Sequence, residues 1–258
     1  MILVPAVAGC SRQRQFYMSG AVEDGLIIVL PGVEGRGMLN EDICRGLRQG
    51  GVKAAVFLYD WTSCWGLLAN QRAEATNRER AAELALVIAR YQDAWPGRPV
   101  LLVGHSGGGA IAIWAAEYLP RGNSIDGVVL LAASLSPHYM LDTALSHSRR
   151  GIVSFHSERD WLLLGVGTTV AGTMDGEHTS SAGRVGFVEP QGAARPSVYR
   201  RLLQIPWFAR MSRTGNTGLH FTSGAGPFVA QYVAPFISIE QWDKALVARV
   251  IGQPVRAD

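Results

Sequence analysis

The segment Gly104-His105-Ser106-Gly107-Gly108 constrains this chain more than any other. It reads G-x-S-x-G, and it stands between the apolar run Pro99–Val103 and the small-residue stretch Gly109–Ala116. A serine on a sharp strand-to-helix turn needs a strained backbone, and its hydroxyl is thereby left exposed. Side chains two residues to either side would clash, which asks for glycine at both places. Gly104 and Gly108 meet that demand. With 30 glycines in 258 residues the pattern alone arises readily by chance. Its place between a buried strand and a closely packing helix is what makes it specific, and it points to a nucleophilic serine.

The elements around it alternate. Gly25–Leu30 is a continuous apolar run ended by Pro31-Gly32, as expected of a strand covered on both faces. Asn40 is placed to cap a helix running to about Gln49, and Lys53–Tyr59 reads as the next strand. Ala81, Leu84, Ala85, Ile88 and Tyr91 fall at helical spacing, so a helix is predicted over about Ala73–Ala94. Gly127–Ala132 and Gly151–His156 are further strands, and Arg201–Pro206 competes with Val185–Val188 for the last. Pro227–Phe236 suits a helix, and Ser238-Ile239-Glu240-Gln241 has the form of a capping box opening a C-terminal one. Strands alternating with helices predict an α/β fold, a mostly parallel sheet with helices on both faces. With no internal repeat or linker visible, residues 25–258 are expected to form one domain, and residues 1–24 an N-terminal segment ahead of it.

A serine hydroxyl is a weak nucleophile near neutral pH and needs a base that a third group orients. In open parallel sheets such groups converge at the carboxyl ends of strands. Asp160 lies just past the strand ending at His156 and is the expected acid; Glu158, in the same turn, is the alternative. Asp142 trails the previous strand at a greater distance. Of the six histidines, His105 is expected to point away from Ser106, His156 lies inside a strand, and His138, His147 and His178 fall in polar segments. His220 sits in the flexible stretch Gly215–Ser223, between the last strand and the Pro227 helix, and is the expected base.

The order Ser106, Asp160, His220, with its glycine-flanked serine, resembles the α/β-hydrolase superfamily. The resemblance spans roughly Gly25–Phe236. It implies a single-domain hydrolase fold, an acyl-enzyme on Ser106, a small-molecule ester or other acyl substrate, and no cofactor. It also implies an oxyanion hole after the first parallel strand, where Pro31-Gly32-Val33-Glu34-Gly35 departs from the usual pattern by having Pro31 in place of histidine. Because the donors are backbone amides, Val33 and Gly107 are still expected to supply them. Acyl transfer and thioester cleavage use the same residues, and a non-catalytic binding module on this fold is the competing class. Trp61 and Trp65, past a strand end at the same edge, are candidates for the pocket wall, with core packing the alternative for both. Ala132–Gly151 is too short for a large helical cap, so a small cap or none is expected; Gly165–Pro196 is the stretch free to form a partial cover.

Composition removes other classes. The net charge is +3, without a block of like charges or an alternating basic and aromatic stripe, so a nucleic-acid partner has little support. No apolar run approaches the 18 residues or so that span a bilayer. Cys10, Cys44 and Cys64 lack metal-ligand spacing. Val7-Ala8-Gly9-Cys10 has the form of a bacterial lipobox without a basic leader, so Cys10 is a lipidation candidate that would anchor the protein outside the cytoplasm; an ordinary apolar N-terminus in a cytoplasmic enzyme is the other reading. In the first case Cys44 and Cys64 are free to pair; in the second they are two buried thiols.

Overall fold

The computed structural model describes residues 16–18, 20–161, 172–190 and 196–252. Seven strands form one sheet in the order β1-β3-β2-β4-β5-β6-β7. They are β1 (Phe16–Met18), β2 (Ala21–Leu30), β3 (Ala54–Leu58), β4 (Val100–His105), β5 (Gly127–Leu131), β6 (Ile152–His156) and β7 (Leu202–Pro206). All pair in parallel except β1, which runs antiparallel along β3.

The continuous apolar runs are explained by burial on both faces. Alternate residues of one strand enter opposite cores, as the two-residue period of a strand requires. Ile28, Leu30, Leu102, Val128, Leu130 and Ile152 face one side, with Leu84, Ile88, Ile111 and Trp114. Ile27, Val29, Leu101, Val103, Val129 and Phe155 face the other, with Ile43, Leu47, Phe228 and Phe236. The first side is covered by α3 (Glu74–Ala94) and α4 (Gly107–Glu117), the second by α1 (Met38–Gln49) and the C-terminal helices. Each fully buried Leu or Ile stabilises by about 1.5–3 kcal/mol relative to exposure, so the core needs no covalent help. Cys44 is buried, Cys64 is exposed, and the two are not joined.

Several boundaries differ from expectation. Pairing begins well before Gly25: Phe16 lies opposite Leu58 and Ala21 opposite Ala54, so part of the 1–24 segment belongs to the sheet. The Cys10 site lies outside the described residues. Asn40 does not cap α1; Gly37 holds that place, and the Asn40 amide donates to Glu34 Oε1 at 3.3 Å and to the Gly35 carbonyl at 3.0 Å. The long helix starts at Glu74, because Ala73 (φ −82°, ψ 54°) breaks it from a separate short helix, α2 (Leu67–Arg72). Leu202–Pro206 is the last strand, while Ala182–Val185 is a helical turn. The predicted Pro227 helix becomes Gly226–Phe228, a π-turn Val229–Val233 and Ala234–Ser238. The final helix opens at Lys244 rather than near Ser238, since the Asp243 carboxylate accepts from the Leu246 amide at 2.7 Å. In α1, Gly46 touches this C-terminal region backbone to backbone: a Cβ there would lie 2.5 Å from the Gly226 carbonyl oxygen.

Only a short helix, α5 (Asp142–Ser146), interrupts the connection from β5 to β6. The segment around Met174 packs beside the loop after β5 instead, its amide donating to the Ser134 carbonyl at 2.9 Å. Among the described residues no helix is long and apolar enough to cross a membrane.

Candidate active site

Ser106 sits where β4 turns into α4, with φ 52° and ψ −121°. The left-handed φ is unfavourable for a residue with a Cβ, and it swings the hydroxyl out of the sheet. The glycines make room for it. A Cβ on Gly108 would run into the carbonyl oxygens of Leu30 and Pro31, and one on Gly104 would lie 2.5 Å from the Gly108 carbonyl. Helix α4 can therefore begin against the end of β2, and its first amides, which lack intrahelical acceptors, face the same edge.

Three carboxyl ends converge here. Ser106 follows β4, Asp160 follows β6 across the turn closed by its own amide on the Ser157 carbonyl (3.0 Å), and His220 opens a 3-10 turn after β7. His220 Nε2 is 2.9 Å from Ser106 Oγ, and His220 Nδ1 is 2.7 Å from Asp160 Oδ2. All three residues are buried. Burial lowers the His220 pKa below its ordinary 6.5, and the Asp160 hydrogen bond opposes that shift without cancelling it. The imidazole is thus neutral near pH 7. Nδ1–H donates to Asp160, which leaves Nε2 to accept from the serine hydroxyl. Glu158 is exposed and Asp142 accepts from the Tyr199 hydroxyl at 2.8 Å, so neither joins the group.

The turn after β2 closes over the start of α4 beside Ser106. Val33 Cγ1 would be 2.9 Å from a Cβ on Gly107, and the Met174 sulfur and the Trp61 ring would each be 3.3 Å from it. Val33, Gly107 and Trp61 therefore share one small space. Trp61 is buried and donates from Nε1 to the Pro31 carbonyl at 2.7 Å, which ties the turn to the end of β3. Trp65 is 78% exposed and forms no wall of this space.

Several supporting residues were not singled out from the sequence. Asn70 donates to the Val33 carbonyl (3.0 Å), and Gln71 donates to Ser134 Oγ (3.1 Å) and the Gly172 carbonyl (2.8 Å). The Ser134 amide in turn donates to the Ser106 carbonyl at 3.0 Å. Asp60 accepts from the Arg36 and Thr62 amides, at 3.2 and 3.1 Å, and fixes the far side of the same turn. His105 lies beneath His220, ring centroids 5.0 Å apart, with Nδ1 3.8 Å from Glu34 Oε1. It packs against the imidazole that contacts Ser106. No short-range sequence pattern marks these contacts; a run of polar residues just past a strand end is the only signal. Among the described residues no cluster of His, Cys, Asp and Glu could hold a metal ion.

Residues 27–253 match the family model described as alpha/beta hydrolase family. Among solved structures the chain is similar to lipase B of Aspergillus fumigatus, with TM-score 0.56 and 13% identity over 91% of this chain and 57% of that one. It is also similar to an acylaminoacyl peptidase of Pyrococcus horikoshii (TM-score 0.53, 9% identity, 92% of this chain and 41% of that one). A third is Est1E from Butyrivibrio proteoclasticus (TM-score 0.51, 10% identity, 86% and 92%). Likeness at such identities is one of fold. No curated protein sequence matches the chain.

Proposed function

The chain belongs to the alpha/beta hydrolase family, and on that premise we propose that it hydrolyses a carboxylic ester through an acyl-enzyme on Ser106. The observation that carries the reading is the relay from Ser106 Oγ to His220 Nε2 (2.9 Å) and from His220 Nδ1 to Asp160 Oδ2 (2.7 Å).

Ser106 Oγ attacks the carbonyl carbon while His220 Nε2 takes its proton. Asp160 holds the imidazole in the required tautomer and stabilises the positive charge that forms on it. The carbonyl oxygen gains negative charge and accepts hydrogen bonds that the amides of Val33 and Gly107 donate; donors aimed at charge that develops only in the transition state act on the rate directly. Collapse breaks the bond to the alcohol oxygen, and His220 delivers the proton to the departing alcohol. Water, deprotonated by the same Nε2, then attacks the acyl carbon, releasing the acid and restoring Ser106. His220 can serve as base at neutral pH because burial keeps it from being protonated there. Trp61, beside Gly107, bounds the space open to the acyl group. An intact relay also favours an enzyme over a non-catalytic module on the same fold.

Labelling with a fluorophosphonate probe tests the reading directly. The protein should label stoichiometrically, and Ser106→Ala should not label at all. A folded Ser106→Ala protein that still labels and still cleaves an aryl ester would remove Ser106 from the mechanism.

A further inference from the structure

His105 is 0% exposed, at the end of a strand that is otherwise valine, leucine and glycine. A polar ring in such a place costs stability unless partners meet its nitrogens. Nδ1 makes no hydrogen bond and faces Glu34 Oε1 at 3.8 Å. Nε2 lies 3.4 Å from the carbonyl oxygen of His220. A carbonyl only accepts, so Nε2 carries a proton and donates it to that bond.

His105 is also the residue before the nucleophile, and this adjacency closes a circuit. From His105 Nε2 the path runs to the His220 carbonyl and through His220 to its own Nε2. It then crosses 2.9 Å to Ser106 Oγ and returns to His105 along one peptide bond. One residue of the dipeptide meets the imidazole of His220, and the other grips its backbone. Inside the circuit the two rings lie 5.0 Å apart. The turn that carries His220 has need of such a grip. It is a 3-10 turn of five residues, and the chain reaches it through Gly215 and Gly218, both with left-handed φ (89° and 87°). The His220 carbonyl also accepts from Ser223 Oγ at 2.8 Å, but Ser223 belongs to the same turn and moves with it. Of these two side-chain donors, His105 is the one that belongs to the sheet.

We infer that His105 is a positioning residue for the proposed reaction, holding the His220 imidazole at Ser106 by donating from Nε2 to the His220 carbonyl. This rests on the serine-hydrolase reading and goes beyond it by giving a role to the variable residue of the nucleophile turn. His105 touches no reacting atom; it sets the alignment of the group that does. Misplacing a reacting group by about 1 Å can slow a reaction by about 100-fold. His220 serves both the formation of the acyl-enzyme and its hydrolysis, so misplacing it slows both steps. KM depends on the ratio of those steps and stays where it was, while kcat falls.

The test compares His105→Leu, which fills the place without a donor, with His105→Gln, whose side-chain amide puts an N–H near the position of Nε2. On a dissolved aryl ester His105→Leu should lose about 20-fold in kcat with KM within about 3-fold, and fluorophosphonate labelling should slow in step. His105→Gln should bring both rates back to within about 3-fold of wild type. In the wild-type protein, NMR of the ring nitrogens should find a proton on His105 Nε2, a measurement that needs no variant to fold. A folded His105→Leu protein that labels and turns over as wild type overturns the inference and leaves the serine-hydrolase reading standing. So does a His105→Gln protein as slow as His105→Leu, which would reduce the residue to packing. An Nε2 without a proton would do the same. Wild-type protein that neither labels nor cleaves the ester would sink both readings.

Discussion

Neighbouring strands β4 and β5 leave the sheet in the same way, each through a residue with left-handed backbone, Ser106 at φ 52° and Ala132 at φ 50°. Each such residue costs about 1–3 kcal/mol and persists only where its surroundings over-determine it. The two bends lead to different places. After Ser106 the chain enters α4 at once, through three glycines, of which Gly108 lies against the backbone carbonyls of Leu30 and Pro31. After Ala132 it runs to Ser134, whose amide donates to the Ser106 carbonyl at 3.0 Å. The second bend therefore holds the first in place. Strain alone does not mark a reacting group; the partners that converge on the residue do. Ser106 has His220 and, through it, Asp160, while Ala132 presents only a methyl group.

If converging partners make the difference, removing one should do the most damage. Asp160→Asn is expected to cut turnover of a dissolved aryl ester by about 10⁴-fold, because the imidazole loses the acceptor that fixes its tautomer. Glu158→Gln, two residues away and exposed, should stay within about 2-fold; the reverse result in steady-state kinetics would move the acid by two residues. The next effect is structural. Gly108→Ala would drive a methyl group into the Leu30 and Pro31 carbonyls. It should destabilise by about 3 kcal/mol or more, since the clash is with backbone that cannot rotate away. Urea unfolding reads this, and a loss under about 1 kcal/mol would mean that α4 is not held against the end of β2. The smallest effect belongs to the other bend. Ala132→Gly relieves the left-handed penalty and loosens the unfolded chain, opposing terms that net a gain of about 0.5 kcal/mol. Activity should remain within about 2-fold; a clear loss in the same unfolding and kinetic assays would show that the methyl group itself supports the site.

The site was legible where chemistry is local or tied to strand ends. The glycines around Ser106 and the apolar run before it lie within a dozen residues, so pattern and fold agree at one place. Asp160 and His220 could be placed because parallel strands deliver their successors to one edge. Where the reading failed, a distant contact outweighed a local pattern. Asn40 looks like a cap, but Glu34 and Gly35 claim its amide. The 3.6-residue period from Ala81 to Tyr91 is correct, yet it carries no sign of the break at Ala73, because Asn70 and Gln71 are fixed by residues far along the chain. Ser238 has a capping residue's chemistry but ends the preceding helix, and Asp243 does the capping. Three residues of β1 are too few for any period to register. Trp61 and Trp65 were indistinguishable as letters; one donates inward to Pro31 and the other stands in water.

The contact of Gly46 with Gly226 bears on the chemistry from the opposite face of the sheet. Gly226 begins the helical segment that directly continues the His220–Gly224 turn, and its separation from α1 is set by a missing side chain. That missing methyl works as a gauge. It sets how far the turn bearing His220 can descend, and hence the reach from its imidazole to the Ser106 hydroxyl. On the proposed mechanism, the tuning of proton transfer is thus stored partly in a residue with nothing to protonate.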